Sequence, residues 1–452
     1  MDIRFLGANN TVTGSKHLLS VGDRKILIDC GLFQGLKVLR QRNWRPLPFD
    51  PATLDAVILT HAHVDHTGYL PLLVRQGFNG PIYCSNATQA LCELLLPDAG
   101  HLQEEDAAFA NKHNHSKHRP ALPLYTEADA RVAIRNLSPV DWERGVPLAS
   151  DVEFQLRKAG HILGASLAII EGEGRRLVFT GDLGRYDDPT MRPPESVEKC
   201  DYLVVESTYG DRVHPDEDPR EILRRIIVRT LDRGGRLLVP AFAVGRSQQL
   251  LYLIWLLRES GAIPDVPVYL NSPMAIQATR IFCEFVQDQA LTEEECRGLA
   301  KMVRFVTSAE ESQRINKEEF PAIIVSASGM ATGGRVLHHL KKLAPDAKNT
   351  ILFAGFQASG TRGEAMLSGV EEIKIHGRYV PIRAEVLGME SLSAHADSGE
   401  IMRWLRQSEI PPRHTFIVHG EPLASEALRK RIQRELGWSA SVPDYLEVEG
   451  LL

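Results

Sequence analysis

The sequence has no C-x-x-C pair. Its six cysteines, Cys30, Cys84, Cys92, Cys200, Cys283 and Cys296, are scattered along 452 residues. That excludes a thiolate zinc site of the usual spacing and a secreted disulfide framework, so they read as reduced thiols in core or half-buried places. No apolar run approaches the length that spans a bilayer. The opening MDIRFLGANN lacks a basic and then apolar leader, and a cytoplasmic protein without membrane attachment is the expectation. Basic residues are not in excess either. A net charge of −6 excludes a general basic coat, so a nucleic-acid partner would have to be drawn by a local basic patch or by bound metal. Internal repeats and low-complexity tracts are also missing.

What is there begins with short runs of Val, Ile and Leu: IRFL, HLLS, KILIDC and DAVILT, separated by Gly, Asn and Asp clusters. Their length reads as strands. GYLPLLVRQ, ATQALCELLL and 101–118 read as helices, followed by strand-like VEFQLRKAG, SLAIIEG, RRLVFTGD and YLVVEST. From about residue 209 strand and helix alternate: RLLVPAF before GRSQQLLYLIWLLRES, VPVYL before PMAIQATRIFCEFV, AIIVSAS before RVLHHLKKL. That order predicts a parallel sheet with helices on both faces. RAEVLG, HTFIVHG and a final helix return to the earlier style. One fold interrupted by a second is the reading.

The chemistry concentrates in LTHAHVDHTGYL, where His61, His63, Asp65 and His66 occupy six positions directly after an apolar strand. Neutral imidazole and carboxylate suit zinc or a similar divalent ion. Four such donors on one loop cannot all reach a single tetrahedral ion. Two ions sharing ligands, roughly 3.5–4 Å apart, satisfy them better. Further donors stand at the ends of other apolar runs: His161 in KAGHILGAS, Asp182 in LVFTGDLG and His419 in FIVHGE. Singly, His161 and His419 read equally as hydrogen-bonded turn histidines, and Asp182 as a turn or capping residue. Jointly they read as ligands of one pocket at a sheet edge.

LIDCG, THAHVDH, AGHILGAS and FTGD together resemble the metallo-β-lactamase superfamily. ESTYG at 206–210, SLSAHAD at 391–397 and IVHGE at 417–421 resemble the added motifs of its β-CASP branch, and PAFAVGRSQQLL and SASGMATGGR are similar to that branch too. The branch contains the RNA 3′-end cleavage and polyadenylation endonuclease with its bacterial and archaeal relatives. The resemblance implies an α/β fold: an αββα metallo-β-lactamase sandwich from residues 1–208 and 386–452, with an inserted parallel-sheet β-CASP domain, 209–385, capping the active site in a cleft where a single strand threads. It implies two Zn2+ per chain. One would take His61, His63 and His161, the other Asp65, His66 and His419, with Asp182 bridging. Asp29 would orient the ligand loop, although alone it reads nearly as well as a turn residue before Gly31. His395 would protonate the leaving oxygen with Glu206 supporting it; without the resemblance, His395 reads as a helix-entry residue and Glu206 as a strand-end acid.

The implied activity is zinc-dependent hydrolysis of single-stranded RNA by hydroxide attack at the two ions, leaving a 5′-phosphate and a 3′-hydroxyl. Endonuclease is favoured over 5′-exonuclease. A DNA nuclease of the same branch ranks lower, because DNA-directed members usually carry valine where this chain has His419. A small-molecule hydrolase would not need the insert, and a non-catalytic scaffold would not keep every ligand. Extra C-terminal domains or N-terminal RNA-binding modules known in the branch are not expected here, and homodimerisation stays open. NKHNHSKHR at 111–119 reads first as a solvated helix end. His338 and His339 read as helix surface. The Gly/Ser loops SASGMATGGR and AGFQASGTRGE read as phosphate cradles or plain turns, without the Lys-Ser/Thr of a P-loop. Arg246, Arg335 and Arg362 are candidate RNA contacts.

Overall fold

The computed structural model describes residues 1–113, 118–355, 357 and 360–452. They divide into two compact units, Met1–Val213 with His395–Leu452, and His214–Ala394. No helix among the described residues is long and apolar enough to cross a membrane. All six cysteines are free thiols, five buried and Cys283 half-buried.

The first unit holds two seven-stranded sheets. Their facing sides meet in one core, to which Ile3, Phe5, Ile26 and Ile28 contribute from one sheet and Phe154, Leu156, Ile170, Phe179, Val204 and Phe416 from the other. Within each strand these residues are two apart, the period that sends alternate side chains to one face. In the outer strand Val152–Lys158 the intervening Glu153, Gln155 and Arg157 are not buried. In the inner strand Tyr202–Glu206 every residue is buried, because helices cover the outer face. Helix Pro422–Leu436 lies on strand His414–Val418, and helix Asn86–His113 on Ile82–Ser85 and Leu137–Val140. The segment ATQALCELLL and residues 101–113 of the next one, read separately, form this one long helix, which runs through Pro97 and ends at His113. Of the tract 111–119, residues 114–117 lie outside the described residues.

Strand direction creates the site. Arg24–Ile28, Ala56–Ile58 and Ile82–Ser85 run parallel in one sheet. Arg175–Phe179, Tyr202–Glu206 and His414–Val418 run parallel in the other. Val152–Lys158 is antiparallel to a strand that is itself antiparallel to Arg175–Phe179, so its C-terminal end falls on the same edge. The turns carrying Asp29, His61–His66, His161, Asp182, Glu206 and His419 are therefore gathered at strand C-termini. Ser166 ties the two sheets together there: its backbone N–H donates to the Thr60 carbonyl at 2.8 Å.

The second unit is the expected parallel α/β fold. Its six-stranded sheet runs Val303–Phe305, Val268–Leu270, Ile323–Ser326, Leu237–Pro240, Thr350–Ala354, Glu385–Met389, every neighbour parallel. Glu385–Met389, which reads in the sequence with the C-terminal elements, is an edge strand of this sheet. One expectation fails here. His338 is exposed but His339 is 0% exposed, within 2.6 Å of Asn271 Nδ2 and 2.7 Å of Asn316 Oδ1. Neighbours on a helix lie about 100° apart, so only one of the two can face outward. Burial brings His339 down to about 4.

Two glycines let the site's turns touch. A Cβ on Gly31 would lie 1.5 Å from the Asp65 carbonyl oxygen, and one on Gly184 would lie 2.1 Å from the Gly160 carbonyl. Both obstacles are backbone, which has no rotamer to yield. Gly31→Ala should therefore cost more than the usual ~0.5–3 kcal/mol of a point substitution and lower metal content, whereas Gly450→Ala, in open space, should stay within about 0.5 kcal/mol. Thermal unfolding with elemental analysis of both variants checks this; equal behaviour refutes the interlock.

Candidate metal centre

The loop after Ala56–Ile58 is built around Asp29. This carboxylate accepts from the Thr60 backbone N–H at 2.8 Å, the Thr60 hydroxyl at 2.9 Å and the Ser15 hydroxyl at 3.2 Å, and it lies 2.7 Å from His66 Nδ1. With Nδ1–H given to Asp29, the His66 ring presents Nε2 as a lone pair on its far side. Asp29 and His419 have φ of 59° and 51°, a left-handed backbone uncommon outside glycine and frequent at functional turns.

The structure brings the expected ligands together in two neighbouring sets. His61, His63, His161 and Asp182 have donor atoms mutually within 4.8 Å, as do Asp65, His66 and His419. Asp182 belongs to both neighbourhoods. Its Oδ2 is 3.5 Å from Nε2 of both His61 and His161, while Oδ1 is 3.4 Å from His66 Nε2 and 3.5 Å from His419 Nδ1. Asp65 Oδ2 lies 3.4 Å from His419 Nε2. Ring nitrogens face one another at 3.0 Å for His61 and His63, 3.3 Å for His161 and His63, and 3.2 Å for His66 and His419.

These contacts fit divalent ions. Asp182 is 2% exposed, and its Oδ1 has no hydrogen-bond partner, a costly state for a carboxylate oxygen unless a cation compensates it. Borderline nitrogen and hard oxygen donors with no thiolate suit zinc. Burial, and next the neighbouring His66, drive His61 well below its ordinary range, so it is a neutral donor. Burial lowers His63 too. For Asp182 burial resists ionisation, but His419, His66 and His61 hold it well below the usual carboxylate range. For His66 burial disfavours the charged ring, yet Asp182 and Asp29 outweigh it and hold it well above its ordinary value. The cluster demands positive charge beside Asp182.

Glu206 and His395 stand beside this cluster. Glu206 is 0% exposed; its oxygens accept from the backbone N–H of Leu183 at 2.6 Å and of Thr208 at 3.3 Å. His395 Nδ1 lies 3.2 Å from Glu206 Oε2 and 3.9 Å from Asp182 Oδ2, with 21% of the side chain exposed. Bridging between His395 and Gly184, and Ala396 N–H donating to the Leu183 carbonyl at 2.8 Å, fix the segment. Burial alone would lower His395; Glu206 and Asp182 outweigh it and lift it to about 9, so the ring carries a proton near neutrality.

Sequence reasoning missed two hydroxyls. Thr60 clamps Asp29, and Thr208 Oγ1 lies 3.1 Å from His419 Nδ1. Their only signal was adjacency, Thr60 before His61 and Thr208 in ESTYG. The three candidate RNA contacts also bond within their own unit. Arg335 donates to Asn271 and the Val306 and Thr307 carbonyls, Arg362 to those of Lys374, Ala331 and Thr332, and Arg246 to Gln249. Of the loop AGFQASGTRGE, residues 356, 358 and 359 lie outside the described residues.

Three family models match the chain: the metallo-beta-lactamase superfamily over residues 16–227, the Beta-Casp domain over 247–366, and the Zn-dependent metallo-hydrolase RNA specificity domain over 379–443. Ribonuclease TTHA0252 of Thermus thermophilus is 37% identical over 439 residues, 95% of each chain. Transcription termination factor FttA of Methanocaldococcus jannaschii is 33% identical over 442 residues, 93% of this chain and 67% of that one. A crystal structure of a protein of unknown function from Enterococcus faecalis, 14% identical, aligns over 99% of both chains with a TM-score of 0.57, a likeness of fold.

Asp29→Ala should weaken metal binding by about 10–100-fold, because His66 loses the partner that fixes its tautomer. Asp29→Asn should fall between, since its amide can serve Thr60 or His66 in the correct sense but not every partner together. Competition against a chromogenic chelator measures both; unchanged affinity in Asp29→Ala removes the clamp's role.

Proposed function

The chain belongs to the β-CASP branch of the metallo-β-lactamase superfamily, and on that footing we propose that it is a zinc-dependent ribonuclease cutting within single-stranded RNA. The observation that carries the reading is the pairing of His395 with Glu206 at the edge of a buried donor cluster, a proton carrier set beside a cation site. The match to an RNA specificity domain and the ribonuclease relative support RNA as substrate.

His61, His63 and His161 would hold one zinc ion, Asp65, His66 and His419 a second, with Asp182 between them. Ions held there would neutralise charge developing on the phosphate and make water a competent nucleophile near neutral pH. The chain's own groups do the rest. Asp29 keeps His66 in the ligating tautomer. Asp182 presents one oxygen to each set. Glu206, held by the amides of Leu183 and Thr208, fixes the His395 ring and favours its charged form. His395 donates its proton to the departing 3′ oxygen, leaving a 5′-phosphate and a 3′-hydroxyl.

An active preparation should contain two zinc equivalents and cleave labelled RNA much faster than DNA of the same sequence. One equivalent or none, or equal rates on the two polymers, would overturn the proposal. Asp182→Ala should lose both ions together and His419→Ala one of them preferentially. The two variants, analysed side by side for zinc, test the bridge.

His395→Ala should keep its zinc and its RNA affinity while losing about 10²–10⁴-fold in turnover, the range of general acid catalysis. An RNA with sulfur in place of the leaving 3′ oxygen departs as a thiolate and needs no proton. His395→Ala should recover much of its rate on that substrate, and Asp182→Ala should not. Zinc loss in His395→Ala, or no rescue by sulfur, would make His395 a ligand or a structural support.

A further inference from the structure

Between strands Arg24–Ile28 and Ala56–Ile58 the first unit carries an arm, GLKVLRQRNWRP, whose surface is unlike the rest of the chain. Lys37, Arg40, Arg42 and Arg45 fall within nine positions, and no acid occurs from residue 30 to 49. Elsewhere in this acidic chain arginines are commonly paired: Arg24 with Asp55, Arg131 with Glu127, Arg224 with Glu221, Arg406 with Glu435, Arg429 with Glu426. Among the described residues the arm's four cations meet no carboxylate. Interleaved with them, Leu36, Val38 and Trp44 are 64%, 58% and 60% exposed, and the short helix Lys37–Arg40 buries nothing.

The arm is held, not loose. Buried Asn43 accepts from the Phe33 N–H at 2.9 Å and donates to the Phe33 carbonyl at 2.8 Å. The Arg42 guanidinium lies over the rings of Tyr445 at 4.2 Å and Phe33 at 5.3 Å, and Pro46 follows extended Arg45. So anchored, Trp44 keeps its indole in water. The arm's root touches the candidate metal loop, where Leu32 N–H donates to the Val64 carbonyl at 3.0 Å.

Resting on the ribonuclease reading above, we propose that this arm is a contact surface for single-stranded RNA, with Lys37, Arg40 and Arg45 on phosphates and Trp44 stacked on a base. Unpaired cations spaced around an exposed aromatic are the elements of sequence-tolerant single-strand binding. Self-association of the same patch is disfavoured, since a two-fold contact would set these cations against their own copies.

Two variants test it, Trp44→Ala and the triple change Lys37→Ala, Arg40→Ala, Arg45→Ala; Arg42 is left in place because it packs on Phe33 and Tyr445. Both should keep the wild-type unfolding temperature, zinc content and turnover of bis(4-nitrophenyl) phosphate. On a single-stranded RNA of about 20 nucleotides, Trp44→Ala should raise KM about 5- to 150-fold, the range of base stacking on an aromatic ring. The triple variant should flatten the slope of log KM against log salt by roughly 2, at about 0.7 per phosphate contact. If the wild type cleaves RNA and neither variant shifts KM or slope, the arm proposal is overturned alone. If the wild type neither cleaves nor binds RNA, the ribonuclease reading falls and the arm with it. A wild-type dimer that Trp44→Ala dissociates, with KM unchanged, makes the patch a self-association face and overturns the proposal.

Discussion

A single buried carboxylate governs the first unit's functional edge. Asp182 has four imidazoles from three turns within 3.5 Å and an oxygen without a hydrogen bond. A charge so placed is tolerable only if compensating groups stay where they are, because in a medium of low polarity a small displacement changes its energy steeply. The surrounding construction answers that demand. Parallel strands aim their C-terminal ends at it, Ser166 stitches one sheet's turn to the other's, and Asp29 fixes the ring of His66. Left-handed Asp29 and His419 are tolerated because each is pinned on both sides, His419 by the Ala8 carbonyl accepting its backbone N–H at 2.7 Å.

Much of this could be read from the sequence, and for a physical reason. Donor side chains at the ends of apolar strands leave a local trace: a buried run, then a polar cluster that a core would reject. His61, His63, Asp65, His66, His161, Asp182 and His419 all carry it. Alternation of strand and helix likewise announced the parallel sheet of the second unit. What stayed hidden depended on three-dimensional rotation or on single hydroxyls. Nothing in RVLHHLKKL says which of two adjacent histidines turns inward, and Thr60 is one threonine among many until Asp29 is found beside it. Arg335 and Arg362, singled out by their charge, also donate to backbone carbonyls of their own unit, which nothing in the sequence signals.

Asp182 and Glu206, both buried beside the donor cluster, differ in their hydrogen bonding. Asp182 keeps an oxygen unpartnered, while Glu206 has both oxygens committed to amides and to His395. Both are buried, and they are set apart by what they accept. Neither arrangement follows from residue type.

Glu206 and His395 are 189 positions apart in the chain, and strand His414–Val418 lies beside Tyr202–Glu206 although it comes far later. A ribosome adding about 5–20 residues per second needs ~10–40 s to pass from one partner to the other. During that interval the emerging polypeptide contains most of its cation donors but neither His395 nor His419. Translation therefore runs ahead of competence. The donor cluster and the pair of His395 with Glu206 can be completed only after the C-terminal segment has been made.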